Sequence, residues 1–446
     1  MARSSYTLVE ITNTEDNFNS FSFDDTLNAP SINNNGLVVW SASLDNGGLG
    51  IFSRSSTGSL QTIASTDLGF SKFGFPSIND SGKVVFQAKT GDQSGIYLGY
   101  PFARPTVVAS TGQAIALTDG KGHKKVEKFT SFGEDPAINN RGRVAFKAQL
   151  TLTGDSNSVT GSNSGIFVGN DRGKIEPIAD TVGKFNGLKF ADLWGTPFEG
   201  STTPSINKKG VTVFWGLLDQ KLPEGSPEYS QIPSPLYSGN VRGIFVSDLS
   251  GKIKTVADNT GKYLSFSGTP DINNKGDILY IFRGDNLNDF GTPYRGINLY
   301  ENAQTTTLVD NNNPYQGVVD KFYRFADADI SDSNRIAFRA TFDPLGTQSD
   351  PLTGIFTGQI IAGQLDNLNK VVAIGDTLPF GDTRKTVLDL AFFNNEGLNN
   401  KGQITFTAEF TDGTQGIYLA DPSYSLLTPF PEVFSLAGSA SNYSEV

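Results

Sequence analysis

The chain predicts an all-β fold: a seven-bladed β-propeller of four-stranded antiparallel blades, its ring closed by the N-terminal strand completing the last blade. Three observations predict it. First, the motif Pro30-Ser-Ile-Asn33-Asn-Asn-Gly36-Leu-Val-Val-Trp40 returns along the chain, with matching cores beginning at Pro76, Pro136, Pro204, Pro270, Ala328 and Glu396. The step from its Asn (Ser331 in the sixth copy) to its aromatic residue is seven residues in every copy, and self-similarity at a fixed spacing marks a repeat architecture. Second, a Gly-Ile-aromatic segment follows the motif, as in Gly50-Ile-Phe52, Gly95-Ile-Tyr97, Gly165-Ile-Phe167 and Gly416-Ile-Tyr418. Third, the two ends complement each other. The last unit, Glu396 to Ala420, supplies three strands and lacks the fourth, and Tyr6-Thr-Leu-Val-Glu-Ile-Thr12 reads as that fourth strand.

The elements of one unit follow in order. Strand A is the short Pro-x-Ile-Asn segment. A four-residue turn comes next, as in Asn79-Asp-Ser-Gly82, where the Asn side chain bonds backbone two residues on and Gly supplies positive φ. Strand B alternates apolar residues, as in Val84-Val-Phe86-Gln-Ala88. Strand C carries Gly-Ile-aromatic, and strand D is a β-branched run such as Ile253-Lys-Thr-Val-Ala257. A blade apolar on both faces is not stable alone. Radial stacking buries both faces and leaves only short edges. A linear solenoid would need polar capping repeats, and the complementary ends argue against it. The domain reading is therefore one propeller over residues 1–420, with 421–446 a Ser/Pro/Phe-rich tail outside the repeat.

Composition removes several function classes. The net charge is −11, and an acidic surface repels phosphate backbones, so nucleic acid is not an expected partner. The chain has no cysteine, which excludes disulfides, thiolate metal sites and Cys nucleophiles; the same absence fits an extracytoplasmic protein. No apolar run approaches the ~18 residues of a membrane helix, and the first residues carry no signal-peptide pattern. The one histidine, His123, lies in the cationic stretch Asp119-Gly-Lys-Gly-His-Lys-Lys125, where no triad partner is evident. Gly-rich stretches such as Asn46-Gly-Gly-Leu-Gly50 read as hairpins rather than phosphate loops. No cofactor and no metal ligand set is expected. Oxygen-only calcium coordination is compatible with the many Asp and Asn residues, although no twelve-residue calcium loop is present.

Units built as Pro-x-Ile-Asn-x-x-Gly-x-x-x-Phe followed by Gly-Ile-Phe resemble bacterial, cyanobacterial-type tandem-repeat propeller proteins named for their Asn-x-x-Gly-x-x-x-Phe motif. The resemblance covers residues 6–420. The motif also parallels the Ser-Pro-Asp-Gly turn of TolB-type propellers. A more distant similarity is to the propeller part of the alkylating enzyme of cylindrocyclophane biosynthesis, which implies alkyl-halide chemistry as an alternative function. That enzyme carries a calcium-binding repeat domain whose glycine–aspartate nonapeptides this chain lacks.

The repeat motifs are structural by position, so functional residues are sought where the pattern breaks. B–C connections lengthen in blades 3 to 6 (Leu150–Ser164, Leu217–Arg242, Arg283–Arg295, Phe342–Thr353), and D–A connections are long at Thr111–Asp135 and Asp180–Thr203. Long loops on one face are the expected place for a binding site. On that face the residue after the strand A Pro is small except at Asp271 and Asp329, two carboxylates near the axis that are expected to bind a cation or divide acid and base roles. Arg283, which departs from its column in strand B, and Arg324 are each expected to pair with Asp271 or Asp327, or to orient an anion. The main expectation is a ligand- or partner-binding propeller that takes a small molecule, glycan or protein through Glu134, Asp135, Trp194, Glu199, Tyr237, Tyr323, Arg324 and Asp327. The alternative is an enzyme using Asp271 or Asp329 as base, with Arg283 and Tyr294 holding the leaving group. Trp40 and Trp215 read as core.

Overall fold

In six of the seven repeats the strand B aromatic meets the strand C aromatic directly across an antiparallel pair, while in blade 5 Tyr280 faces Asn298. Phe86 faces Tyr97, Phe146 faces Phe167 and Phe338 faces Phe356, with stacked rings 5.9, 5.8 and 5.7 Å apart. The glycine of Gly-Ile-Phe makes room for that ring: a Cβ on Gly165 would stand 2.7 Å from the Phe167 ring and 3.0 Å from the Ala179 carbonyl. Trp40 and Trp215 are fully buried in these layers, as expected of core residues.

The computed structural model describes residues 5–23, 26–151, 163–195, 203–223, 239–287, 293–315, 318–344, 350–392 and 396–423. They form seven antiparallel blades in chain order around an axis. Strands B, C and D of blade 2 are Val84–Thr90, Gln93–Gly99 and Thr106–Ser110, and those of blade 5 are Ile278–Leu287, Pro293–Glu301 and Gln304–Asp310. Closure is as the ends of the sequence imply. Ser5–Asn13 pairs with Gln415–Ser423, aligning Leu8 with Ala420 and Glu10 with Tyr418, and so becomes the fourth strand of blade 7. That last strand C runs to Ser423, past the expected boundary at 420. No helix among the described residues is long and apolar enough to cross a membrane.

Strand A is longer than its motif. Before Pro-x-Ile-Asn the chain already pairs with strand B: Lys124–Phe132 in blade 3, Tyr263–Ile272 in blade 5 and Val319–Ile330 in blade 6. These stretches carry apolar residues three apart, Phe129/Phe132, Tyr263/Phe266 and Phe322/Phe325, with a register shift inside each pair. The extra residue of a β-bulge restores both rings to one face, so spacing that reads as irregular is a strand. Phe129 and Phe322 then stand edge-on to the strand C rings Phe167 and Phe356, at 5.1 and 5.0 Å.

Several expected loops are therefore sheet. Thr111–Asp135 is a hairpin of Ala114–Thr118 on Lys124–Phe132. In blades 5 and 6 strands B and C continue into much of Arg283–Arg295 and Phe342–Thr353, pairing Leu287 with Pro293 and Phe342 with Leu352.

Candidate functional site

The A–B turns surround one end of the axis, and their Asn residues hold the ring together. Asn33 Oδ1 accepts the backbone N–H groups of Asn35 and Leu37, which caps its own turn, while Nδ2 donates to the Asn79 carbonyl of the next blade at 3.0 Å. The pattern repeats from Asn79 to Asn139, Asn139 to Asn207, Asn207 to Asn273 and, across the closure, Asn399 to Asn33. It fails at the two seams flanking blade 6. Asn273 Nδ2 turns to Asp277 instead, and Ser331 occupies the position of the Asn.

At those two seams stand Asp271 and Asp329. Asp271 accepts from Ser205 Oγ of blade 4 at 2.7 Å and from the Ile330 N–H of blade 6 at 2.9 Å. Asp329 accepts from the Gly397 and Leu398 N–H groups of blade 7 at 2.7 and 3.1 Å. Burial raises the Asp271 pKa against these hydrogen bonds. Both carboxylates lie at the short-turn end of the axis rather than at the long-loop face expected for them. Strand A reaches its turn only two residues later, so geometry leaves them no other place.

A cavity of ≈ 130 Å³ opens there, lined by the strand A Ile residues and by Asp80, Asp271, Asp329, Asp332 and Glu396. Glu396 stands where five blades have Pro and blade 6 has Ala328, and it holds φ at +76°, which Pro cannot adopt. Its Oε2 reaches past blade 1 to Ser77 Oγ at 2.9 Å and the Ile78 N–H at 2.7 Å in blade 2. Burial pushes its pKa up to about 8 against these bonds, and Asp271 and Asp80 add to the rise. Among the described residues no group of three or more carboxylate or imidazole side chains is arranged to hold a metal ion.

The loop end of the axis is different in kind. Lys147 of blade 3, one residue after the strand B aromatic, donates to the Trp194 carbonyl at 3.2 Å and holds its ammonium 5.3 Å from the Trp194 ring centre. Burial lowers its pKa, and Asp135, Asp192 and Glu134 oppose that shift. Asp192 is fully buried and fixed by Ser164 Oγ and the Trp194 and Gly195 N–H groups. Asp135 accepts from Thr203 at 2.5 Å, and Glu134 pairs with Lys72 at 3.0 Å. In blade 6, Arg339 occupies the register position of Lys147 and grips Asp327 Oδ2 through Nε and Nη2 at 3.1 and 2.9 Å. Asp327 has φ at +42°. Burial raises its pKa, Arg339 opposes this, and Asp135 adds to the rise. The loop end thus presents two cation–carboxylate couples, from blades 3 and 6.

Four of the eight expected binding residues, Glu134, Asp135, Trp194 and Asp327, come together here. Glu199 and Tyr237 lie outside the described residues. Tyr323 donates to Asp343 at 2.6 Å beneath Lys321, and Arg324 is exposed on strand A of blade 6. The partner of Asp327 is Arg339, not Arg283 or Arg324. The expected catalytic set does not converge. Asp271 pairs with Leu279 at the start of strand B, whereas Arg283 is four residues further along it, about 13 Å at strand rise. Tyr294 packs on Phe282 and donates to Asp310 of the outer strand at 3.1 Å, and burial with Asp310 raises its pKa to about 12.

Sequence reasoning missed Lys147, Arg339 and Glu396. The first two share a column that is otherwise Ser41, Gln87, Trp215, Ile281 and Thr407, and Glu396 is the loss of a Pro. Comparing those columns would have found all three.

The architecture and this site define a β-propeller with a charged loop-end mouth. The chain belongs to a family of unknown function, DUF7453, whose model matches residues 5–259, 67–397 and 366–423. No curated protein matches it. Among solved structures it is similar to the β-propeller domain of the trilobed protease from Pyrococcus furiosus, at 9% identity and TM-score 0.44 over 90% of this chain and 95% of that one. It is also similar to a PL25 ulvan lyase bound to -[GlcA(1-4)Rha3S]-, at 10% identity and TM-score 0.40 over 94% and 96%. A third similarity is to a putative TolB from Agrobacterium tumefaciens, at 11% identity and TM-score 0.37 over 81% and 93%. At these identities nothing about activity, substrate or partner passes from those proteins to this chain.

Proposed function

We propose that the protein is a binding propeller that recognises a polar small molecule or chain end at the loop end of its axis. The observation that carries this reading is the belt formed by Lys147, Asp135, Glu134 and Trp194 with Arg339 and Asp327. These are charged and aromatic side chains, several half-exposed, gathered where five of the seven blades place neutral residues. Ion pairs of this kind contribute little to stability compared with apolar packing, so their concentration at one mouth favours recognition over scaffolding. The alkylating alternative has no comparable support, because Asp271 and Asp329 are engaged by backbone N–H groups and Arg283 and Tyr294 lie elsewhere.

The test is a ligand screen by thermal shift and intrinsic fluorescence. Trp40 and Trp215 are buried in the core, so a ligand-induced emission change reports on Trp194. A bound ligand is expected to lose at least tenfold in affinity in Trp194→Ala and Asp135→Asn. Ligands whose affinity both variants leave untouched would place recognition elsewhere.

A further inference from the structure

We propose that the ligand of the loop-end belt is a zwitterion: a small molecule or peptide carrying both a free ammonium and a free carboxylate group. This rests on the reading of the loop end as a binding site.

The first argument is charge. Blade 3 offers Lys147 within electrostatic reach of Asp135 and Glu134, and blade 6 offers Arg339 paired with Asp327 at 2.9 Å. An ion of one sign meets a like charge at either couple, in surroundings where desolvation makes a mismatch expensive. A molecule carrying both signs meets an opposite charge at each couple. Its carboxylate suits the Lys147 ammonium or the forked Arg339 guanidinium, and its ammonium suits Asp135 or Asp327.

The second argument concerns the aromatic. A sugar bound by stacking needs an open ring face, and the Lys147 ammonium takes one face of the Trp194 ring, 5.3 Å from its centre. The ring serves the lysine by cation–π attraction, which favours an ion-paired ligand over a stacked one.

The third argument is independent of both. At the register position that carries Lys147 in blade 3 and Arg339 in blade 6, blade 2 carries Gln87, only 3% exposed, whose Oε1 has no hydrogen-bond partner. Asn28, 2% exposed, donates its Nδ2 to Ser41, which holds that position in blade 1, while its Oδ1 also has no partner. A buried acceptor left unmet costs about 1–3 kcal/mol. Two such acceptors at the level of the belt call for a donor-rich group, and an ammonium brings three N–H donors.

The experiment measures affinities of free α-amino acids and dipeptides by calorimetry, each against its N-acetylated and its C-amidated form, with glucose and N-acetylglucosamine as neutral probes. At least one free zwitterion is expected to bind, and blocking either end is expected to weaken it at least tenfold. Lys147→Met or Arg339→Met, whichever removes the cation that holds the acid, should then bind acid and amide forms equally, and Asp135→Asn or Asp327→Asn should bind amine and N-acetyl forms equally; four variants that all keep the unmodified preferences overturn the inference. Lys147→Arg, which keeps the charge, should retain the preference for the acid, and melting temperatures verify that each variant folds. Absence of zwitterion binding at millimolar concentration, or equal binding of the blocked forms by the unmodified protein, overturns the inference. If a neutral sugar binds and Trp194→Ala abolishes it, the binding site stands and only the ligand class falls.

Discussion

The seams between blades 1 and 5 and the two seams around blade 6 solve one problem by different means. In the regular seams an Asn side chain donates to the next turn's carbonyl, and the residue after Pro is small: Ser31, Ser77, Ala137 or Ser205. Around blade 6 the Asn bridge is lost. There the small residue becomes Asp271 or Asp329, whose carboxylate accepts N–H groups from the following blade. Donor and acceptor exchange sides, and the ring stays closed. Two acidic exceptions to a repeat, which invite a catalytic reading in sequence, are here compensation: Asp329 for Ser331, and Asp271 for an Asn273 whose Nδ2 turns to Asp277. The Lys147 and Arg339 exceptions at the other end also reach the following blade, donating to the Trp194 and Leu390 carbonyls at 3.2 and 3.4 Å, but they bring charge that a seam does not need, and the carboxylates gathered around them separate a candidate site from a repair.

The largest effect is expected from Asp329→Ala. It leaves the Gly397 and Leu398 N–H groups buried without an acceptor, at about 1–3 kcal/mol each. Urea unfolding should show a loss of about 2–5 kcal/mol, with Asp329→Asn intermediate. A loss below about 1 kcal/mol would remove the carboxylate from the list of ring closures.

Next in size is a pH effect at Glu396, whose reach past blade 1 to blade 2 has no counterpart in the regular seams. The unfolded chain releases this proton near 4.5, whereas the folded state holds it up to about 8. The folded state therefore binds more protons in that window, and stability falls as pH rises through it. Asp180, raised to about 6 by burial, acts with the same sign at the lower end. The melting temperature should drop by several degrees between pH 6 and 8 in the unmodified protein. Glu396→Gln should flatten that slope; an unchanged slope would show that another group titrates there.

How legible these features were in the sequence depends on which physical rule each obeys. The turn Asn–Gly pair, the strand B alternation and the displaced first strand follow local rules of turn conformation and period two, so blade number and closure could be read directly. The first half of strand A could not, because the bulge between Phe129 and Phe132 turns period two into period three. The interblade role of Asn33 was hidden because its partner, Asn79, is 46 residues away. The placement of Asp271 failed for the same reason, since its acceptor role is defined by blades 4 and 6 rather than by its neighbours. Lys147 and Trp194 meet only across two blades, so only the acidic and aromatic half of that site was visible.

A regular seam gives a smaller, graded effect. Asn139→Ala removes the cap on the Arg141 and Arg143 N–H groups and the bond to the Asn207 carbonyl. The turn is partly open to water, which replaces some of this, so a loss of about 1–2 kcal/mol is expected.

The smallest effect is the most informative about the comparison. Ser331→Asn restores the repeat residue in blade 6 and should let its Nδ2 donate to the Asn399 carbonyl, as Asn399 does to Asn33. Alone it should stabilise by at most about 1 kcal/mol, the worth of one net hydrogen bond, because Asp329 already closes that seam. Combined with Asp329→Ala it should recover more than it adds alone, since the two devices serve the same joint and neighbouring sites are not additive. A double-mutant cycle on unfolding free energies measures this coupling directly. A coupling near zero would mean that the turn belt and the carboxylate belt act independently, and that Asp329 replaces nothing when Ser331 stands for Asn. The acid at 329 would then need a reason of its own, and the channel would regain its claim to be a site.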